Sequence, residues 1–144
     1  MTAHRTRLYH RLQIAAHRVQ KAADRATTEA AGVTTAQAAV LAVIDASGGA
    51  TTQRAVAGQL GLNESALTQM TGRLLRLGLV ARIRDPGDAR AWRLDLTADG
   101  KAALARLRGP FQRVNARLDA ALKDADLAAL ADALDCVALA FGDT

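Results

Sequence analysis

The side chains with the clearest chemistry are a glutamine and two arginines in the middle of the chain. Gln69 and Arg73 are four residues apart, so they project from one face if this segment is helical. An amide and a guanidinium are the groups that pair bidentately with the base edges of adenine and guanine. Ser65 and Thr68 share this arc and suit bases or phosphates, while Arg76, farther along, suits a phosphate.

A charged hairpin is predicted directly after this helix. Apolar and polar residues alternate over 79–84 and over 92–97, the period of two that marks a strand with one buried face. Between them, the sequence Asp-Pro-Gly-Asp at 85–88 suits a tight turn, with Pro second and Gly third. Arg84 and Arg90 flank this turn, so the hairpin carries positive charge near its tip.

Two short helices must hold the Gln69 and Arg73 face in place. Thr51 and Thr52 open the first, predicted from Gln53 to Leu60, and Gly61 supplies the turn. Asn63 is a good N-cap for the second, predicted from Glu64 to Leu77. Two short helices joined by a tight glycine-containing turn form a helix-turn-helix. The apolar stripe of the second helix is predicted to be Leu67, Met70, Leu74 and Leu77.

Positive charge is concentrated in this same part of the chain. The formal net charge is +5, and arginines outnumber acidic residues seven to three between Arg54 and Arg93. From Leu118 onward, one lysine faces six aspartates. A basic segment favours a polyanionic partner. At the start of the first short helix, Thr52 and Arg54 suit phosphate contacts, although Arg54 is equally compatible with a solvated surface charge.

Apolar stripes mark helices at both ends of the chain. Residues 5–30 are predicted to be helical, and a long helix is predicted after Thr97 with a kink or break at Gly109-Pro110. Asp124 is predicted to cap the last helix. The stripes step by three and four residues, which suits either an intramolecular core or a subunit interface. Their candidate interface residues are Leu8, Leu12, Leu127, Leu130, Leu134 and Val137.

Length and composition limit the number of domains and the classes of protein that the chain could belong to. The 144 residues suit one domain, and 50% are hydrophobic while only 3% are aromatic. The single cysteine, Cys136, excludes an intrachain disulfide, and we expect it to be a buried structural thiol. The sequence predicts neither a membrane span nor a signal peptide, so a cytoplasmic protein is expected. No cofactor or metal is expected, because the cysteine and histidines do not form a metal-ligand or nucleophile–base set. An enzyme is therefore not expected.

The ordered motifs resemble the MarR-type (multiple-antibiotic-resistance regulator) transcriptional regulators. The resemblance rests on the helix-turn-helix AVAGQLGLNESALTQMTGRLLRLGLVAR, which begins at Ala55, followed by DPGDAR at 85–90 and LDLTADG at 94–100. Ala89 departs from the pattern, which often has a basic residue there, so one of two charges at the hairpin tip is lost. Flanking helices extend the resemblance over nearly the whole chain.

The resemblance implies a mainly α fold with a small β-hairpin wing. Residues 34–100 would form the winged helix-turn-helix lobe, and 1–31 with 101–144 a helical dimerisation region. It implies a homodimer that binds a pseudo-palindromic operator, with a wing arginine, Arg90 first, in or beside the minor groove. The implied DNA-binding set is Thr52, Arg54, Ser65, Thr68, Gln69, Arg73, Arg76, Arg84 and Arg90.

The resemblance also implies control by a small, often aromatic, effector. Such a ligand binds between the dimerisation helices and the DNA-binding lobe and shifts the spacing of the recognition helices. Tyr9, His10 and His17 are candidate pocket residues on the first helix. Repression is the expected sign of regulation. Two alternatives remain, a winged-helix protein-interaction module without sequence-specific DNA binding, and a redox-responsive regulator that uses Cys136.

Overall fold

The computed structural model describes residues 7–142, and its contacts divide the chain into two units that meet between Gln112 and Arg113. Most of the secondary structure is helical and the strands form one small sheet, which confirms the predicted mainly α fold class. The helices are α1 (Leu8–Ala31), α2 (Thr35–Ser47), α3 (Gln53–Leu60), α4 (Glu64–Arg76), α5 (Ala98–Arg106), α6 (Arg108–Ala121) and α7 (Leu127–Ala140), and the strands are β1 (Thr51–Thr52), β2 (Val80–Asp85) and β3 (Asp88–Leu96).

Side-chain caps begin four helices of the first unit. Thr34 accepts a bond from the Gln37 amide while the Gln37 side chain accepts one from the Thr34 amide, a reciprocal capping box that starts α2. The oxygens of Thr52, Asn63 and Thr97 each accept from the amide three residues on and start α3, α4 and α5. The predicted caps at these three residues are therefore confirmed.

The hairpin belongs to a three-stranded antiparallel sheet in the order β1-β3-β2. Across β2 and β3, Arg82 pairs with Leu94 and Arg84 with Trp92, and Thr51 of β1 pairs with Leu94 from the other side. Strand β1 was not predicted, because two residues carry no alternating pattern. It lies immediately before α3, so the sheet anchors the start of the helix-turn-helix to the hairpin.

The core of the first unit joins the helix-turn-helix to α2 and the sheet. Leu41 and Ile44 of α2 are fully buried with Leu67 and Leu74 of α4. Burial of a leucine or isoleucine side chain stabilises a fold by about 1.5–3 kcal/mol. Further buried members of this core include Val33, Val40, Val56, Leu94, Leu96, Ala103 and Leu107.

Helix α5 packs directly against the backbone at the start of the hairpin. Thr97 donates its hydroxyl to the Gly78 carbonyl at 2.6 Å and its amide to the Leu79 carbonyl at 3.1 Å. A Cβ on Gly100 would lie 2.0 Å from the Leu79 carbonyl oxygen, so only glycine fits there. This contact explains physically why Thr97 and Gly100 occur at that spacing after the second strand.

Two details of the outer helices differ from the prediction. The long helix breaks at Leu107, between α5 and α6, and Pro110 instead lies in the first turn of α6, where its missing N–H is not needed. The last helix is capped by Asp126, not Asp124, because its carboxylate accepts from the Ala129 amide at 3.0 Å. Residues 5 and 6 of the first predicted helix lie outside the described residues.

The predicted stripe of α1 is not the face that packs within the chain. Leu8 is 56% exposed, and Ala23 and Thr27 are the buried residues of that helix. The C-terminal end of α1 is held to α2 by Asp24, whose carboxylate accepts from both the amide and the hydroxyl of Thr35 at 2.8 and 2.7 Å. Those bonds, the backbone amide of Thr35 first, lower the pKa of Asp24 against the opposing effect of burial.

Candidate nucleic-acid interface

Helix α4 presents a polar face to solvent and an apolar face to the core. Leu67 and Leu74 are fully buried and Met70 is half-buried, as predicted, but Leu77 is 45% exposed because α4 ends at Arg76. Thr71 takes the remaining buried position, and its hydroxyl has no hydrogen-bond partner among residues 7–142. The opposite face carries the predicted polar residues, all exposed: Ser65, Thr68, Gln69, Arg73 and Arg76.

Polar side chains bridge the two helices of the helix-turn-helix. Gln53 donates from its amide to the Thr68 hydroxyl at 2.7 Å, and that hydroxyl donates to the Glu64 carbonyl at 2.7 Å. Thr68 is therefore engaged in holding α4 against α3. Arg54 lies 3.7 Å from the Glu64 carboxylate, but both side chains are highly exposed, so this ion pair contributes little.

Sequence reasoning missed Gln53 and Glu64 as parts of this surface. Gln53 is the first residue of α3. The one feature of the sequence that could have pointed to a structural role for Gln53 is its position directly after the half-buried cap Thr52. Glu64 lies in the first turn of α4, where its charge suits the helix dipole, and this local signal does not indicate that it faces Arg54. The Gln53–Thr68 bond ties the two helices together, and within residues 7–142 the side chains of Gln69 and Arg73 form no hydrogen bond or ion pair.

The wing is ordered by its own side chains. The Arg84 guanidinium lies 4.8 Å from the Trp92 ring centroid, a cation–π contact, and donates to the Ala89 carbonyl at 2.8 Å. The Arg90 amide donates to the Asp88 carboxylate at 2.9 Å, while its guanidinium is exposed and has no ion pair within the described chain. Of the two predicted wing arginines, Arg84 is thus held by the hairpin and Arg90 is available at the tip.

Asp85 holds the turn of the wing together. Its carboxylate accepts from the Gly87 amide at 2.8 Å and lies 3.0 Å from Nε of Arg93. The Gly87 amide, and then the hydrogen bond and charge of Arg93, lower the pKa of Asp85. The carboxylate is therefore ionised at neutral pH and fixes the hairpin tip that carries Arg90.

Comparison with protein families matches residues 31–91 to the model of the MarR family. Among solved structures, the chain is similar to the transcriptional repressor CouR bound to a 23-mer DNA duplex, at 32% identity over 91% of this chain and 92% of that one, with a TM-score of 0.80. The chain belongs to the MarR family. Both the family and the fold are those of transcription regulators.

The chain is also similar in structure to two further transcriptional regulators. The PcaV regulator of Streptomyces coelicolor, in complex with its natural ligand, is 33% identical over 85% of this chain and 88% of that one, with a TM-score of 0.71. The regulator MosR of M. tuberculosis, in complex with DNA, is 30% identical over 90% and 97%, with a TM-score of 0.65. Comparison with curated protein sequences found no match.

The candidate effector residues of this MarR-family chain differ in their surroundings within residues 7–142. Tyr9 is 76% exposed and His10 is exposed, whereas His17 lines two shallow grooves along α1. A larger groove of about 500 Å³ lies between α2 and the α5–α6 segment and was missed by sequence reasoning. Its lining is mostly apolar, with Arg108 as the charged member: Thr35, Ala38, Ala39, Ala42, Leu104, Leu107, Arg108 and Phe111.

The terminal helices expose much of their apolar surface in the single chain. Leu127, Leu134 and Val137 are between 39% and 47% exposed, and Leu12 and Leu130 are half-buried. No residue of α7 is buried. Cys136 is also exposed, so the expectation of a buried thiol is wrong; the apolar residues beside it lie on an unburied helix.

Residues 7–142 contain neither a metal-binding cluster nor a membrane-spanning helix. No three histidine, cysteine or acidic side chains in this part of the chain come together in a way that would hold a metal ion. None of its helices is both long enough and apolar enough to cross a membrane.

Proposed function

We propose that this protein is a homodimeric, sequence-specific DNA-binding repressor whose affinity for its operator is lowered by a small-molecule effector. The observation that carries the proposal is the polar face of α4, where Gln69 and Arg73 are exposed on a helix anchored by Leu67 and Leu74. A rigid helix with free amide and guanidinium groups suits the major groove. CouR and MosR, which resemble this chain, have been solved with DNA.

Each predicted contact has a role in the proposed complex. Gln69 and Arg73 read bases, and Arg76 binds a phosphate near the end of α4. Ser65 contributes to the same face, and Thr68 acts mainly by positioning it. Thr52 and Arg54 contact the backbone from the start of α3. Arg90 approaches the minor groove, and Arg84 supports the wing that carries it.

The exposed apolar residues of α1 and α7 support the homodimer. A single winged helix reads one half-site, and a two-fold dimer places two recognition helices about 34–36 Å apart on one face of the duplex. Four of the six predicted interface residues are large hydrophobic side chains that the single chain leaves exposed: Leu8, Leu127, Leu134 and Val137. A dimer interface along these stripes would remove them from water.

The groove beside α2 supports an effector site better than the histidine face of α1. Its volume of about 500 Å³ fits a small molecule, and its apolar walls with one arginine suit an aromatic carboxylate. It lies against α2, which packs on α3 and α4, so a ligand there could alter how α4 is held. PcaV, a similar protein, has been solved with its natural ligand.

The test is fluorescence anisotropy of duplex DNA from upstream of the gene, against a scrambled duplex, over a salt series. The proposal predicts a steep fall of affinity with salt and a preference of at least ~10³-fold for the native duplex. Candidate aromatic carboxylates are then added at fixed DNA, and an Arg108→Ala variant should lose their effect while binding DNA normally. A protein-interaction module predicts no salt-dependent DNA affinity at all.

Exposure of Cys136 gives the redox alternative a specific test. If oxidation of this thiol controlled the protein, peroxide would lower the DNA affinity of the wild type and not that of Cys136→Ser. The effector model predicts equal affinities for both proteins before and after peroxide treatment.

A further inference from the structure

A second groove lies between the wing and the start of α3. It has a volume of about 330 Å³ and runs over β3, because β3 is the central strand between β1 and β2. Arg82 of β2 lines one side and Arg54 of α3 lines the other. The remaining lining residues are Thr52, Gln53, Ala91, Trp92 and Leu94.

The charge in this groove is uncompensated. None of its lining residues is acidic. The Arg82 side chain is exposed and forms no ion pair within residues 7–142. Arg54 has only the 3.7 Å contact with Glu64, in which the arginine side chain is 91% exposed. Two guanidinium groups facing one groove attract an anion with oxygens on several sides, and guanidinium binds phosphate oxygens with particular geometric fit.

Trp92 makes one wall of this groove rigid. The indole is 45% exposed, and the Arg84 guanidinium holds its ring at 4.8 Å. Its cross-strand neighbour in the register is Arg84, two residues from Arg82 along β2. Arg84 is also bonded to the wing backbone, so the wall formed by Trp92 is held in place before any ligand binds. The exposed indole therefore lies in the same groove as Arg82, an arginine without an ion pair within residues 7–142.

We infer that this groove binds a phosphate group of the DNA backbone, with Arg82 as the residue that contacts it. The inference rests on the proposed function, since it places the duplex against α4 and the wing. A backbone phosphate suits the site because the groove is open and is bordered by α3 on one side and the wing on the other. Both elements flank α4, the proposed recognition helix, so a DNA strand that leaves the major groove passes between them.

This contact supplies affinity and registration but no base preference. A phosphate between Arg82 and Arg54 fixes the wing relative to α3, and so sets how deeply Arg90 reaches the minor groove. The loss of the second basic residue at the wing tip, at Ala89, is then offset by a backbone contact nearer the base of the hairpin. Arg82 was not among the predicted DNA contacts.

The first test is the salt dependence of binding to a duplex of random sequence. We expect Arg82→Ala to reduce the slope of log affinity against log salt by about 0.9 per subunit, the value for one lost phosphate contact. Arg82→Lys keeps the charge and should retain the slope. Arg25→Ala is the matched control, because Arg25 is an exposed arginine of α1 outside the groove. An unchanged slope in Arg82→Ala, or an equal fall in Arg25→Ala, would overturn the inference.

The second test locates the DNA. Trp92 is the only tryptophan of the chain, so quenching of its fluorescence by neutral acrylamide reports this groove alone. Saturating random duplex should protect Trp92 strongly, while inorganic phosphate at the same salt should not, because a free ion does not cover the ring. Equal quenching with and without duplex would contradict the inference.

These outcomes separate the inference from the proposed function. Both tests use a random duplex, so they measure the phosphate contact whether or not the protein prefers any sequence. A wild type with a salt slope and Trp92 protection but no preferred duplex would support the groove and refute the sequence-specific repressor. If the wild type strongly prefers one duplex but Arg82→Ala leaves the salt slope unchanged, the sequence-specific repressor is supported and the phosphate contact in the groove is refuted.

Discussion

Gly100→Ala is the substitution for which the structure predicts the largest effect from the smallest change. Gly100 lies in the first turn of α5, where a Cβ would sit 2.0 Å from the Leu79 carbonyl oxygen. Ordinary contact requires at least 3.4 Å, so the helix and the start of the hairpin must separate by more than an ångström. The obstacle is backbone, which cannot rotate away as a side chain can.

The magnitude follows from the contacts that this separation breaks. Thr97 loses its bonds to Gly78 and Leu79, each worth about 1 kcal/mol. Overpacking adds about 1–3 kcal/mol, and the better helix propensity of alanine returns about 1 kcal/mol. The free energy of unfolding should therefore fall by about 2–4 kcal/mol, which lowers Tm by roughly 10 °C in a chain of this size.

Gly58→Ala is the matched control for this prediction. Gly58 lies inside α3 and a Cβ there meets nothing within 4 Å, so alanine should stabilise the protein by about 0.5–1 kcal/mol. Urea unfolding of both variants is followed by far-UV circular dichroism at one fixed protein concentration, because a dimer's stability depends on concentration. If Gly100→Ala unfolds within about 1 kcal/mol of the wild type, the close packing of α5 on the hairpin is refuted.

Three further predictions concern the core, the α1–α2 contact and the DNA-binding face. Thr71→Val removes a buried hydroxyl without a partner and should raise the free energy of unfolding by about 1 kcal/mol; a loss measured by urea titration would mean that the hydroxyl is bonded. Asp24 has a pKa lowered below 3.8, so its bonds to Thr35 stabilise the fold above that pH and this contribution is lost as pH falls through the lowered value. The stability deficit of Asp24→Asn should thus be constant from pH 7 to 5 and shrink in more acidic buffer, and a deficit that grows on acidification would contradict this. Arg73→Ala should relax base preference at one position by about 1–3 kcal/mol, whereas Arg90→Ala should weaken all duplexes alike and reduce the salt slope by roughly one, as measured by anisotropy on a set of single-base variants; the opposite pattern would exchange the two roles.

Local signals predicted the helix-turn-helix and hairpin well. Thr52, Asn63 and Thr97 are caps that act within three residues, so their chemistry is legible in the sequence. Strand β1 was not predicted, because its two residues become a strand only by pairing with Arg93 and Leu94, far along the chain. Sequence periodicity carries no information about such a short non-local pairing.

The wing and α1 show why other features of the structure could not be predicted from the sequence. Arg84 and Arg90 have equivalent sequence contexts on either side of the turn, and only the register that brings Trp92 opposite Arg84 distinguishes them. On α1, Leu8 belongs to the predicted apolar stripe, whereas Ala23 is an apolar residue beside it. Which of them is buried depends on where α2 crosses, and Asp24 with Thr35 sets that contact.

The central claim is that α4 reads base edges through Gln69 and Arg73. It is tested most directly by selecting a preferred duplex from random sequences and replacing each guanine in turn by 7-deazaguanine, which lacks the N7 acceptor. The account predicts one guanine in each half-site whose replacement weakens wild-type binding about tenfold or more and leaves Arg73→Ala unaffected. If every replacement affects the wild type and Arg73→Ala equally, Arg73 does not read guanine and the claim is contradicted.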